Sequence, residues 1–300
     1  MKVSASSLSI SPIVEKPLFA VVSDLVKARL TILVLLTTLV GFYLAQSPMD
    51  FVRMFHALLG TALVASGASA LNQLLERKHD AKMRRTEDRP LPSGRLQPET
   101  VLLFGAVCSG VGLVYLAFLV NLVTALLGAL TRVSYVFVYT PLKRVTSLNT
   151  AVGAIPGALP PLMGWTAARG EVTIEGWGLF AILFFWQLPH FLSIAWMYRD
   201  EYAKAGFVML PSVDPDGART GRQAVSHTMG LLPVSLSPFL FHLVGPLYLY
   251  GALLFGTVFL WLAIQFARRL TMASARSLFY ASILYLPLLL GLMALTKIKN

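Results

Sequence analysis

Around residue 76, three side chains carrying oxygen donors recur at intervals of four. In Asn72-Gln-Leu-Leu-Glu76-Arg-Lys-His-Asp80 an amide and two carboxylates stand at i, i+4 and i+8, and on a helix of 3.6 residues per turn they share an arc of about 80°. Hard oxygen donors with two negative charges suit Mg²⁺, which takes a few carboxylates and completes its shell with water and substrate phosphates. The chain continues Met83-Arg-Arg85-Thr86-Glu-Asp-Arg89-Pro90-Leu91, setting guanidinium groups beside the acids. A metal-bridged diphosphate needs both, acids for the ion and Arg forks for the phosphate oxygens. The spacing fits equally well a solvated amphipathic face whose acids are neutralised by neighbouring Lys and Arg. The amide favours the first reading slightly, because it is a costly way to build a solvated face at the end of an apolar segment.

The elements that must position this stripe are membrane helices. The 300-residue chain is 56% hydrophobic and 13% charged, about half the charge of a soluble globular protein, and its mean hydropathy is +0.69. Such a chain cannot cover a water-facing surface, so the bilayer is its solvent. Segments near 25–45, 51–71, 101–119, 122–141, 148–168, 177–198, 228–245, 247–267 and 277–296 each offer the roughly 20 apolar residues a span requires. They predict an all-α integral membrane protein with a single polytopic domain over 21–300. Ahead of it, residues 1–20 read as a flexible cytoplasmic tail with the character of neither a signal nor a transit peptide.

The basic residues set the orientation. Of 25 Lys and Arg, only Arg53, Arg169, Lys297 and Lys299 fall on the far side, so the positive-inside bias places the N-terminus and the longer loops in the cytoplasm and the C-terminus opposite. The net charge of +11 is therefore a topology signal, and nucleic acid is not a predicted partner. A lone cysteine, Cys108, excludes a disulfide framework. The two longest cytoplasmic loops, 72–100 and 199–226, also collect acids: Glu76, Asp80, Glu87, Asp88 and Glu99 in one, Asp200, Glu201, Asp214 and Asp216 in the other. Carboxylates contribute little to orientation, so their concentration predicts something cationic there.

Asn-x-x-x-Glu-x-x-x-Asp followed by Arg-Thr-x-x-Arg-Pro-Leu resembles the first signature of the UbiA-type intramembrane prenyltransferases, and its central Glu resembles their haem-farnesylating branch. The likeness continues in Tyr139-Thr-Pro-Leu-Lys143-Arg144-Val-Thr-Ser-Leu-Asn149 and in Gly157-Ala-Leu-Pro-Pro161-Leu-Met-Gly-Trp165. Further on it takes in Trp186-Gln-Leu-Pro-His190-Phe191 and Tyr198-Arg-Asp-Glu-Tyr202-Ala-Lys-Ala-Gly206-Phe-Val-Met-Leu-Pro211, so that it spans most of 25–296. Many members of the superfamily carry a second Asp-x-x-x-Asp, eight and four residues before a glycine. Before Gly206 those places hold Tyr198 and Tyr202, and the acids stand at Asp200 and Glu201. The departure favours the haem-farnesylating branch over quinone prenylation and leaves open whether Asp200 holds a second ion.

The resemblance implies a nine-helix UbiA-type bundle in the cytoplasmic (inner) membrane, with a central cavity opening to the cytoplasmic side. It implies Mg²⁺-dependent transfer of the farnesyl group of farnesyl diphosphate to the 2-vinyl group of haem b, with water addition, giving haem O and diphosphate. Haem b is then a substrate rather than a cofactor, membrane lipid surrounds the protein, and a haem A synthase is the next enzyme. In this reading Asn72, Glu76 and Asp80 bind Mg²⁺, and Arg85, Arg89, Lys143 and Arg144 clamp the diphosphate, with Lys27 or Arg29 as lesser candidates. Lys143 and Arg144 also fit plain positive-inside anchoring. His190, in the cytoplasmic half of its span, is a candidate contact for the haem iron or a propionate, or a histidine bonded to a neighbouring helix. The Gly- and Pro-rich span 148–168 is expected to be kinked and to line the cavity, or to use its small residues for packing. Two rival functions remain: prenylation of another aromatic acceptor, such as a quinone precursor or chlorin, and secondary transport, which would place ionisable residues near the midplane. A third class, a scaffold subunit of a respiratory complex, predicts that Glu76→Gln or Asp80→Asn leaves turnover unaffected.

Overall fold

In the computed structural model of the chain, residues 16–45 and 48–298 are described; residues 1–15 of the expected tail, and Lys299, lie outside the described residues. Residues 16–20 depart from the expected tail. Lys16 pairs with Asp24 at 3.0 Å and Asp88 at 2.6 Å, and Leu18 opens a short helix, α1 (Leu18–Leu25). The chain turns at Lys27, a non-glycine residue at φ 49°, and α2 (Ala28–Ala45) follows. The span expected over 25–45 is therefore broken near its start.

After Asp50, whose side chain accepts from the Arg53 amide, α3 (Phe51–Asp80) runs for 30 residues. At 1.5 Å per residue that is about 45 Å, well beyond the apolar thickness of a bilayer, so the stripe at 72–80 rides on the same helix as the span. Next come α4 (Pro98–Leu119) and α5 (Leu122–Val133). The latter runs on through a π-helical turn (Ser134–Tyr139) into the single turn α6 (Thr140–Leu142). Then follow α7 (Asn149–Arg169), α8 (Ile174–Met197), α9 (Arg199–Ala205) and α10 (Ala218–Ser235). The chain ends with α11 (Ser237–Leu240), α12 (Pro246–Arg269) and α13 (Met272–Leu295). The only β pairing among the described residues is an isolated bridge between Val244 and Lys297.

The expected span at 228–245 is displaced toward the N-terminus. Its helix runs from Ala218 to Ser235, and its polar first turns Ala218-Arg-Thr-Gly-Arg-Gln escape a criterion based on apolar runs. Among the described residues, seven helices are long and apolar enough to cross a membrane: α2, α3, α4, the α5–α6 unit, α8, α12 and α13. Helices α7 and α10 occupy two further expected segments but are richer in proline, glycine and polar residues.

The helices pack in sequence order, α2 on α3, α3 on α4, α4 on α5, α5 on α7, α7 on α8, and α8, α10, α12 and α13 in turn, and α13 returns to α2. The outer face is apolar, with Phe118, Leu254 and Leu284 among its exposed side chains, as a lipid-facing surface should be. Helix α7 is mostly buried. Its glycines serve close packing, the alternative considered for them. A Cβ at Gly164 would meet the Thr38 carbonyl at 1.9 Å, and one at Gly41 on α2 would meet that of Pro161 at 2.0 Å.

Candidate active site

The last turns of α3 bury the stripe. Asn72, Glu76 and Asp80 are 0%, 5% and 1% exposed. Each faces a cation brought by a different segment. Lys27 Nζ, at the α1–α2 turn, donates to Asn72 Oδ1 at 2.6 Å. Lys143 Nζ, just after α6, lies 2.8 Å from Glu76 Oε1. Arg89, in the loop after α3, donates to Asp80 Oδ2 at 2.6 Å.

Local structure explains why those cations arrive there. Gln73 donates to the carbonyls of Asp24 and Leu25, capping the end of α1 and fixing the turn that carries Lys27. The π-helical turn re-aims two tyrosines toward the site. The Tyr135 hydroxyl bonds Lys27 at 3.2 Å, and the Tyr139 ring lies 4.5 Å beneath Lys143 Nζ. Asn72 Nδ2 donates to Thr140 Oγ1 at 2.9 Å, which in turn donates to the Tyr135 carbonyl. Gly153 of α7 leaves room for Tyr139, since a Cβ there would sit 2.4 Å from its ring. The Thr86 hydroxyl donates to the Asp80 carbonyl, bending the loop so that Arg89 reaches back.

The two acidic loops meet over this cluster. His79 Nδ1 lies 2.7 Å from the Ala205 carbonyl, the Val208 amide donates to the Lys143 carbonyl, and Arg85 donates to the Tyr202 hydroxyl at 2.8 Å. They enclose a small cavity of about 70 Å³. Its polar lining includes Lys27, Glu76, Asp80, Arg85, Arg89 and Lys143, and Tyr139, Tyr202, Phe207 and Met209 close it. Burial, together with the nearby Arg89, pushes Lys27 down to about 7, against the pull of Glu76. Lys143 is the opposite case: burial works against its charge, but Glu76 and the neighbouring phenols outweigh that and hold it well above the usual lysine range.

The sequence-derived residues thus divide. Asn72, Glu76, Asp80, Arg85, Arg89 and Lys143 converge, and Lys27 joins them as a full member. Arg29 and Arg144 are exposed and do not line the cavity. Asp200 points to solvent with a side chain 86% exposed, 3.9 Å from Arg199. His190 also lies outside the cavity lining: its Nδ1 is 2.7 Å from Ser282 Oγ on α13, and its ring stacks on Trp186 and Phe279. The residues sequence reasoning did not single out are Tyr135, Thr140 and Phe207. Tyr139 was legible in principle as a ring four residues before Lys143, whereas the π-turn has no sequence signal.

Among the described residues no three His, Cys, Asp or Glu cluster as a protein-only metal centre. Two carboxylates and an amide on one helix face are instead the incomplete oxygen set that Mg²⁺ accepts when phosphate and water supply the rest. Glu76 Oε1 makes no hydrogen bond of good geometry, only its ion pair with Lys143, which a bound ion would replace. The donor set fits such an ion, and the surrounding cations fit a polyanion.

The profile of the UbiA prenyltransferase family matches residues 34–288. The protoheme IX farnesyltransferase of Solibacter usitatus is 50% identical over 284 residues, covering 91% of this chain and 97% of that one. The enzyme of the same name from Koribacter versatilis is 44% identical, with 92% of each chain covered. Among solved structures, a digeranylgeranylglyceryl phosphate synthase superposes with a TM-score of 0.80 at 15% identity, over 94% of this chain and 99% of that one. A UbiA homologue from Archaeoglobus fulgidus bound to DMAPP and Mg²⁺ superposes with a TM-score of 0.65 at 15% identity, over 91% of this chain and 98% of that one. These two likenesses concern the fold.

Proposed function

The chain belongs to the UbiA prenyltransferase family, and we propose that within it this multi-pass membrane protein transfers the farnesyl group of farnesyl diphosphate to the 2-vinyl group of haem b. Water addition completes the product, haem O, and diphosphate is released. The observation that carries the diphosphate half is the matched array of Asn72, Glu76 and Asp80 against Lys27, Lys143 and Arg89, all but Asn72 lining one cavity. The acceptor follows from the relatives, which bear the name protoheme IX farnesyltransferase at up to 50% identity over nearly their whole length.

Prenyl transfer begins with heterolysis of the allylic C–O bond, in which the diphosphate leaves with the electron pair. Asn72, Glu76 and Asp80 would hold Mg²⁺, which when bound supplies Lewis-acid neutralisation of the charge on the leaving group. Lys143, Arg89 and Arg85 turn their N–H groups to the phosphate oxygens, and such preorganised donors in a dry site stabilise charge as it develops. Phe207 and Met209, beside these cations, keep water from the allylic carbon. The terminal vinyl carbon of haem b then bonds to the farnesyl cation. Water adds to the resulting benzylic-like cation and loses a proton to solvent. No protein nucleophile is required.

His190 is assigned a haem contact through the ring nitrogen not bonded to Ser282, and the acidic loops are assigned to the cytoplasmic face of the inner membrane, with a haem A synthase as the next enzyme. The test is direct. The purified protein, given Mg²⁺, farnesyl diphosphate and either haem b or 4-hydroxybenzoate, should form a farnesylated product only with haem b, and excess chelator should stop it. Prenylation of 4-hydroxybenzoate in place of haem b would overturn the acceptor, and full turnover in chelator would overturn the metal.

A further inference from the structure

The cations of the cavity are not equivalent. Lys143 and Arg89 are ion-paired with Glu76 and Asp80, and Lys27 is bonded to Asn72. Arg85 is held by two tyrosines: the Tyr202 hydroxyl accepts its N–H at 2.8 Å, and the faces of Tyr198 and Tyr202 lie 5.4 and 5.6 Å from the guanidinium carbon. It has no carboxylate partner among the described residues. Tyr198 stands at the α8–α9 junction, Tyr202 within α9, and the arginine in the loop after α3, so the contact also joins the two acidic segments.

A cation held by π-faces keeps its charge uncompensated, because a quadrupole orients a guanidinium without neutralising it. The planar fork stays free to pair with phosphate. The acids below, by contrast, are already occupied. Resting on the diphosphate reading above, we propose that Tyr198 and Tyr202 are positioning residues that hold Arg85 as a metal-independent dock for the diphosphate anion. The anion then binds before the divalent ion and in its absence, and its arrival draws Lys143 and Arg89 off Glu76 and Asp80.

The experiment measures binding of inorganic pyrophosphate to the purified full-length protein by calorimetry in excess EDTA. Pyrophosphate is chosen because, unlike the farnesyl ester, it does not partition into detergent. Wild type should bind. Arg85→Ala should bind about tenfold more weakly or worse, Tyr202→Phe about three- to tenfold, and Tyr198→Leu about two- to fivefold, with Tyr198→Phe restoring most of the Leu loss. With Mg²⁺ present the tyrosine variants should raise KM for farnesyl diphosphate more than they lower kcat. If Arg85→Ala does not fold, the tyrosine series decides. No binding to wild type in EDTA, or equal binding to wild type and the variants, overturns the dock. The same wild-type preparation is assayed for turnover with Mg²⁺, farnesyl diphosphate and haem b. Turnover without EDTA binding sinks this inference alone, whereas no turnover sinks the reading beneath it.

Discussion

Replacing Lys143 with methionine should separate the two jobs its ammonium performs. At 2.8 Å from Glu76, with side chains only 16% and 6% exposed, the pair has a gross attraction of about 6 kcal/mol at an effective dielectric constant of 20. Much of that offsets desolvation, so the pair itself contributes little net stability. Removing one partner is different, because it strands a buried carboxylate at a cost of about 3–5 kcal/mol. Lys143→Met should therefore unfold earlier in a denaturant titration of detergent-solubilised protein followed by tryptophan fluorescence.

The same variant should respond more strongly to Mg²⁺. A ligand stabilises the folded state by RT ln(1 + [L]/Kd), and with the competing ammonium gone, Mg²⁺ should bind about tenfold more tightly or better and, well above its Kd, return much of the lost stability, while turnover stays low because a phosphate contact is missing. The double variant Glu76→Gln/Lys143→Met removes both charges, so it should recover stability without Mg²⁺ and show no Mg²⁺ response. The reasoning is refuted if Lys143→Met is as stable as wild type, or if Mg²⁺ stabilises the single and double variants alike.

Three further outcomes are expected. Gly153→Ala pushes a Cβ to within 2.4 Å of the Tyr139 ring, and should cost roughly 1–3 kcal/mol of stability and raise KM for farnesyl diphosphate by displacing Lys143; unchanged kinetics would show that the ring does not position the ammonium. Asp214 is buried, which raises its pKa, but hydrogen bonds from the Thr220 hydroxyl and amide and the Arg219 amide outweigh this and hold it below its usual value. Its stabilisation is thus present above the ordinary carboxylate range and lost as pH falls through the lowered value. Asp214→Asn should unfold roughly 1–3 kcal/mol earlier at pH 7, with the gap to wild type closing only as pH falls below the ordinary carboxylate range. His190→Ala should raise KM for haem b several-fold and leave KM for farnesyl diphosphate unchanged; movement of both or neither would reduce the Ser282 contact to packing.

The parts of this site that a sequence displays are those with a period. Asn72, Glu76 and Asp80 follow the helical repeat, and since α3 does not stop at the membrane edge, the repeat survives intact into the folded protein. Arg85 and Arg89 were legible as cations close in sequence to those acids. Lys27 was harder to rank against Arg29: two residues apart, they have the same composition around them, and only the left-handed turn at Lys27, held by Gln73, sends one inward and the other out. Lys143 and Arg144 also part, without a left-handed turn: one lies at 2.8 Å from Glu76 and the other is exposed. The shift of the 228–245 span has a related cause, because α10 opens with polar turns that an apolar-run criterion passes over. Positions fixed by long-range contacts, such as Tyr202 on Arg85, leave no local trace.

The pairing of the stripe with its cations resolves a conflict that burial creates. Carboxylates 5% and 1% exposed cannot stand ionised without countercharge, yet neutralising them with protons would spoil them as ligands for a hard cation. Countercharge from Lys143 and Arg89 opposes the protonation that burial favours at Glu76 and Asp80, and the same two groups are those a diphosphate needs. Once the anion and then the ion are bound, the carboxylates have exchanged one cationic partner for another and the displaced cations hold the phosphate oxygens, so few buried charges are unpaired in the loaded site. The affinity for diphosphate is then only the difference between two well-paired states. That restraint favours turnover, because a site that gripped the product as strongly as its gross charge allows would release it slowly, and ground-state binding beyond what the transition state uses adds nothing to kcat.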